Sequence, residues 1–488
     1  MTILFTVAKT LPPEVDLVDL PIASDHIGDP SIEIDWDFLA AEGFEGKLGQ
    51  TKVLPTVGGL SLVAVGVGPA KAVTPTVLRK AAAAVARAAG KRAHLGSRLL
   101  EALPKRDDAS GSDRALAAAA IVEGITLASY VYNTQKSTAA PSRLTACTLI
   151  GSGKRLTAAV ERAGAISEAV CWARDLVNTP PSQLTAPAFA SQIEAVALRV
   201  GLGVRVLDKK AIEKAGLTGT LAVNRGSAVE PRFVELIYEP AGKAKATVAL
   251  VGKGITFDTG GLNLKTYEGM LTMKNDMGGA AAVAAAMSAL PAVAPKVRVI
   301  AFLPLTDNQP GPTAQMPSDV IAYRNGTTVE VFNTDAEGRL ILADGLCRAV
   351  EEKADAIIDV ATLTGAITIA LGDWIAGMYA NHDALAAQLV AAAKVAGEEL
   401  WRMPLADRYR KLLDSKVADV CNVAIPGGGG ANIAALFLER FVDGRPWAHL
   451  DIAGPAFIKA DDAEYPAGGT GFATRTLVEL IAGFSKPR

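Results

Sequence analysis

Short apolar runs alternate with longer helical patterns along most of the chain. The run Leu60–Val67 predicts a strand, and Pro75–Ala89 an Ala-rich helix with proline in its first turn. Ala115–Val122 again reads as helix and Leu144–Ile150 as a buried strand. Strand alternating with helix predicts a mostly parallel sheet. Residues 156–177 then carry a long amphipathic pattern that stops at Asn178-Thr179-Pro180-Pro181, where the double proline ends any helix. We read 154–178 as a linking helix, 1–153 as a smaller N-terminal α/β domain and 179–488 as a larger C-terminal α/β domain. In the latter, Thr247–Val251, Val297–Leu303, Ala356–Val360 and His449–Ile452 predict strands, and Gly278–Leu290 a helix. Ligands of open α/β sheets sit at the carboxyl ends of strands, so the loops after these runs are where chemistry is expected.

Composition narrows this. The chain has 488 residues, half of them hydrophobic and 20% charged, enough to bury a sizeable core of Ala, Val, Ile and Leu. The stretch at 115–132 is broken by Glu123 and that at 278–295 by Pro291, so both read as buried helices rather than membrane spans. A formal net charge of −2 gives no bulk attraction to nucleic acid or anionic membrane. The four cysteines, Cys147, Cys171, Cys347 and Cys421, lie far apart without a CxxC pair, which predicts free thiols. With no secretory pattern at the start of the sequence, a cytoplasmic location is expected. Only four histidines occur, and no HExxH pair. Any metals are therefore expected to be held by carboxylates.

Three Gly-rich segments carry the unusual groups: VGKGITFDTGG at 251–261 with Lys265 beyond it, MKNDMGG at 273–279, and NTDAEGRL at 333–340. Together they offer Asp258, Asp276, Asp335 and Glu337, with Lys253, Lys265 and Arg339. Taken singly each has an ordinary reading: an Asp beside Gly is usually a turn residue, acids favour a helix start, and a lone Lys is usually on the surface. Their shared context argues for convergence. If residues 335–337 are extended, Asp335 and Glu337 point the same way and can chelate one ion. Four carboxylates and two divalent cations cancel in charge, and hard oxygen ligands suit Mn, Mg or Zn. Rival motifs are incomplete. Gly252-Lys253-Gly254 and Gly66-Val67-Gly68 lack the third glycine of a dinucleotide loop, Gly151-Ser152-Gly153-Lys154 is followed by Arg155 rather than Ser or Thr, and no GxSxG occurs. The tetrad Gly427–Gly430 reads as a mobile surface loop and His449 as a structural residue.

NTDAEGRL closely resembles the signature of the leucyl (cytosol) aminopeptidases. VGKGITFDTGG, MKNDMGGAA at 273–281, TLTGA at 362–366 and WAHLDIAG at 447–454 resemble other blocks of that family in the same order, and ARDLVNTPP at 173–181 resembles its entry to the catalytic domain. The match spans roughly 170–475. The resemblance implies a catalytic C-terminal domain with a central mixed sheet and two metals, Mn or Zn. One is held by Asp258, Asp335 and Glu337, the other by Lys253, Asp258, Asp276 and Glu337. Lys265 and Arg339 match the catalytic positions, with bicarbonate at Arg339 as general base. Met273, Thr362, Leu363 and Gly365 match the substrate pocket, whose apolar character favours Leu-like residues. Lys253 must lose a proton to act as a ligand; bringing its pKa from about 10.4 to about 7 costs roughly 5 kcal/mol. Thr259 stands where Ser is common, keeping the hydroxyl. Peptide substrates and a homohexamer follow from the resemblance. A DNA-binding role, known in some bacterial relatives, is the rival from another class, and a two-metal phosphoryl hydrolase is a second.

Overall fold

The computed structural model describes residues 3–54, 59–104, 112–138, 144–424 and 427–487. The chain divides into two units, Met1–Cys171 with Lys459–Ala467, and Trp172–Ile458 with Gly468–Arg488. A single helix, Lys154–Asn178, carries the chain from the first to the second.

In the first unit a six-stranded sheet runs in the order Leu4–Ala8, Ala146–Ile150, His94–Ser97, Leu17–Ile22, Ser61–Gly66, Thr51–Leu54. Every pair is parallel except the last, as the alternation of strand and helix predicts. The helix Pro75–Ala88 is capped by the Thr74 hydroxyl with Pro75 in its first turn. It packs on Ser112–Ala128, where Gly124 lies so close that a Cβ there would stand 2.2 Å from the Arg79 carbonyl oxygen. The Glu123 that interrupts the apolar stretch meets Arg79 in a buried ion pair at 2.7 Å.

The second unit is built on a mixed nine-stranded sheet. At its centre four parallel strands, Trp447–Asp451, Ala356–Ala361, Thr247–Gly252 and Arg298–Asn308, lie side by side, flanked by antiparallel neighbours. These central strands are almost wholly buried, which is why they read as continuous apolar runs. The short strand Gly254–Asp258 pairs with the far end of Arg298–Asn308. Apart from Ser288, the helix Gly278–Val293 is made of Ala, Gly and other apolar residues because it lies buried against this sheet. Gly279 makes the approach feasible: a Cβ there would sit 2.0 Å from the Val360 carbonyl oxygen. Pro291 falls in the last turn, so the helix passes it by two residues.

A second helix, Gly338–Glu351, carries a buried acid. Asp344 accepts hydrogen bonds from the Thr220 backbone N–H (2.7 Å), the Thr220 hydroxyl (2.8 Å) and, more loosely, the Gly219 N–H (3.3 Å). Burial nevertheless raises its pKa from 3.8 to about 7. The folded state thus binds this proton more tightly than the unfolded chain, so its contribution to stability is full below about pH 4 and is lost as pH rises towards 7. Asp344→Asn keeps the acceptor for Thr220 but removes the titration. The stability of wild type relative to the variant should therefore fall between pH 4 and 7 by an amount of the order of 4 kcal/mol. Urea midpoints at pH 5 and pH 8 test this, and a pH-independent difference would contradict it.

Candidate metal centre

The carboxyl ends of the central strands supply the candidate groups. Lys253 follows Thr247–Gly252, Asp258 closes Gly254–Asp258, and Thr362 to Gly365 follow Ala356–Ala361. Asp276 precedes the helix Gly278–Val293, and Glu337 precedes Gly338–Glu351. Segments far apart in sequence therefore meet where the parallel strands end.

Lys253 is buried and its ammonium reaches Asp276 Oδ1 at 2.7 Å, Glu337 Oε1 at 3.0 Å and the Thr362 carbonyl oxygen at 2.8 Å. Lys265 pairs with Asp258 Oδ2 at 2.8 Å and with Asp335. Carboxylate oxygens of Asp258, Asp335 and Glu337 all lie within 4.8 Å of one another. Burial, and then the charge of Asp258, raise the pKa values of both Asp335 and Glu337. Burial lifts that of Asp276 well above the usual range against the pull of Lys253. For Lys253 and Lys265 burial opposes the charge, but surrounding carboxylates outweigh it and hold both pKa values up. Here the geometry goes against the simple deprotonation of Lys253: its carboxylate partners favour the ammonium. A metal ligand role requires a cation to take the place of that proton.

The arrangement suits divalent cations. Asp276 Oδ2 is buried without a hydrogen-bond partner, and so is Arg339 Nε. Burial lowers the Arg339 pKa to about 10, still charged at neutral pH. Its Nη1 donates to the Asn422 carbonyl at 2.6 Å. Crowded acids in a dry pocket with an unused oxygen are relieved by metal, and an unpaired guanidinium edge by an anion.

One local expectation is corrected. Residues 334–335 form a turn rather than a strand, and Glu337 is already in helical conformation, so Asp335 and Glu337 do not share a side by strand alternation. The Asn333 side chain accepts from the Asp335 N–H at 2.8 Å, and the Ala336 N–H bonds back to the Asn333 carbonyl. This Asx turn replaces strand pairing. It still brings both acids to Asp258.

Pocket candidates are placed unevenly. Thr362 is buried, with its hydroxyl on Asp276 Oδ1 at 2.8 Å. Gly365 opens the helix Gly365–Leu371 with open space beside it, Met273 is half-buried, and Leu363 packs its side chain on the core. The Thr259 hydroxyl is in use, donating to the Asn308 carbonyl and accepting from the Gly261 N–H. Gly427–Gly430 is exposed, and Gly430 begins the helix Gly430–Glu439. His449 lies fully buried with Nδ1 2.5 Å from Asp359, whose other oxygen takes the Trp447 indole N–H. Its position within a buried strand and its carboxylate partner agree with a structural role. Cys147, Cys347 and Cys421 are buried free thiols, and Cys171 is half-buried.

Supporting residues went unnoticed in the sequence. Asn308 donates to Asp258 Oδ1 (2.8 Å) and to the Thr334 carbonyl (3.0 Å). Asp451 accepts from the Leu363 N–H (3.1 Å) and the Thr364 hydroxyl (2.7 Å), fixing the loop that bonds Lys253. Their only advance signal is position at a strand end.

Gly338 marks a tight contact, since a Cβ there would lie 2.4 Å from Lys253 Cε. Lys253 is buried and pinned at three atoms, so it cannot yield without losing partners. We expect Gly338→Ala to keep the fold within a few degrees of the wild-type Tm, because Ala favours helix by about 1 kcal/mol over Gly. With Lys253 as an expected ligand, metal affinity should fall by roughly tenfold or more. Unchanged metal titration would show that Lys253 has more room than this packing allows.

The profile of the cytosol aminopeptidase family, catalytic domain, matches residues 171–478, and that of its N-terminal domain matches 36–139. A probable cytosol aminopeptidase of Streptomyces avermitilis is 46% identical over 91% of this chain and 87% of its own length. One of Chlorobaculum tepidum is also 46% identical, covering 87% of this chain and 86% of its own. Among solved structures, a mutant of tomato leucine aminopeptidase superposes with a TM-score of 0.89 at 33% identity, covering 99% of this chain and 96% of its own. The bottromycin maturation enzyme BotP in complex with Mn gives 0.87 at 41% identity, covering 96% and 99%.

Proposed function

The chain belongs to the cytosol aminopeptidase family and is an aminopeptidase, and from that premise we propose that two divalent cations, Mn or Zn, serve it in releasing Leu and other apolar residues from peptide N termini. The observation that carries this reading is the convergence of Asp258, Asp276, Asp335 and Glu337 on the ammonium groups of Lys253 and Lys265. Asp258 and Glu337 would serve both ions, Asp335 one, and Lys253 with Asp276 the other. Bound there, the metals would supply Lewis acidity towards the scissile carbonyl and lower the pKa of a water.

The chain's own groups do the rest. Lys265 Nζ, freed from its carboxylates, presents a compact positive charge to the oxygen that becomes negative as the carbonyl is attacked. Arg339, with its Nε buried and unpartnered, offers a planar fork to bicarbonate, the proposed base. His449 is unsuited to that task because Asp359 engages it inside the sheet. Thr362 ties the pocket to the ligands, its carbonyl on Lys253 and its hydroxyl on Asp276. Met273, Leu363 and Gly365 complete the proposed pocket. A cytoplasmic homohexamer is part of the same reading, supported by family membership.

The test is hydrolysis by the purified chain loaded with Mn or Zn, using Leu-p-nitroanilide, peptides and a phosphoester. Release of N-terminal Leu with no phosphoester cleavage is expected. Failure to release any N-terminal residue when metal-loaded would end this proposal.

A further inference from the structure

Asn422 stands 83 residues beyond Arg339 in sequence, yet its backbone carbonyl receives the Arg339 guanidinium. It follows the short strand Val420–Cys421, which pairs in parallel with Thr328–Glu330 and so lies beside the segment leading to NTDAEGRL. Asn422 is fully buried and every polar atom on it is engaged. Its Oδ1 accepts from the Phe332 N–H (2.8 Å) and the Asn333 N–H (3.2 Å). Its Nδ2 donates to the Asn333 carbonyl (2.7 Å) and the Ala336 carbonyl (3.3 Å). Its backbone N–H donates to the Glu330 carbonyl at 3.0 Å. One amide therefore satisfies two donors and two acceptors of the turn between Phe332 and Ala336. A primary amide is needed for that, since it offers both signs of partner at this size.

That turn holds Asp335 and leads directly into Glu337 and Arg339. On its other side Thr334 is held by Asn263 and the Gly260 carbonyl. We propose that Asn422 is a positioning residue: it clamps the 332–336 turn and the Arg339 guanidinium together, so that metal ligands and anion site keep one fixed relation. This rests on the two-metal reading above. Asn422 touches neither metal nor substrate in that scheme and acts only through Asp335, Glu337 and Arg339.

Asn422→Asp is the sharpest probe. It keeps the acceptor facing Phe332 and Asn333 but turns a carboxylate oxygen towards two carbonyls. Calorimetric titration of the full chain with Mn, together with kcat and KM for Leu-p-nitroanilide at several bicarbonate concentrations, reads the outcome. We expect one of two Mn equivalents to bind roughly 10- to 100-fold more weakly. We also expect kcat to fall far more than KM changes, and the bicarbonate needed for half-maximal rate to rise. Thr220→Ala, which removes a buried hydrogen bond to Asp344 away from the turn, is the control for general destabilisation and should leave Mn affinity unchanged. If N422D does not fold, Asn422→Ser, which leaves the two carbonyls without their amide donor, is read in the same way. A variant with both Mn affinities and kcat within twofold of wild type overturns the positioning role alone. Wild type that binds fewer than two Mn overturns the two-metal reading, and this inference with it.

Discussion

Replacing Asp335 by Ala is expected to abolish aminopeptidase activity, lowering kcat by about 10³-fold or more, the equivalent of roughly 4 kcal/mol in the barrier. Asp335 is one of three acids whose oxygens lie within 4.8 Å of one another, and in the proposed scheme it serves only one ion. Metal content after dialysis should therefore drop from two equivalents to about one. Stability should change little. The Asp335 side chain is 31% exposed and its ion pair with Lys265 is partly hydrated, so its loss should cost less than about 1 kcal/mol. The removal of one acid also relieves the like-charge crowding that raises the Glu337 pKa. Metal analysis, thermal melting and Leu-p-nitroanilide hydrolysis separate these effects. Activity near wild type with both metals retained would refute the assignment.

Lys265→Ala should give the opposite pattern: full metal content with slow turnover. Its ammonium lies against Asp258 and Asp335 but, unlike Lys253, is not itself assigned as a ligand. Deleting a cation beside carboxylates leaves them free to hold metal at least as tightly. In the proposed scheme what disappears is the positive charge facing the developing oxyanion, a loss that ordinarily lowers kcat by about 10²- to 10³-fold. KM should move much less, because the interaction matters mainly at the transition state. Loss of both metals in this variant would show that Lys265 organises the ligands rather than stabilising charge.

Much of the central sheet was legible from local pattern alone. Thr247–Gly252 and Ala356–Ala361 are buried on both faces, and continuous apolar runs announce that burial without any knowledge of neighbours. The helix Gly278–Val293 was equally plain, although only the structure shows that Gly279 is there to let it reach Val360. An extended 335–337 segment, one reading that the spacing allows, is not what forms: residues 334–335 turn and Glu337 is helical. Nothing in the spacing of Asp335 and Glu337 reveals that the Asn333 side chain caps the Asp335 N–H and folds the segment over. Lys253 was recognised as unusual, but its preference for the charged form depends on Asp276 and Glu337, 23 and 84 residues further along.

The amino-acid sequence by itself determined the two-domain α/β character, the poverty in histidine that points any metal to carboxylates, and the ordered motifs that mark the family. Those are properties of composition and short-range order. Tertiary structure alone decided which oxygen of each acid faces which ammonium, that Asn308 bonds Asp258, Asp451 the loop at Leu363 and Thr364, and Asn422 both the 332–336 turn and Arg339, and that His449 is spent on Asp359. Such matters depend on contacts between residues separated by tens to hundreds of positions. Burial and Coulomb interactions act through distances in space, and only the folded sheet, by ending its parallel strands together, sets those distances.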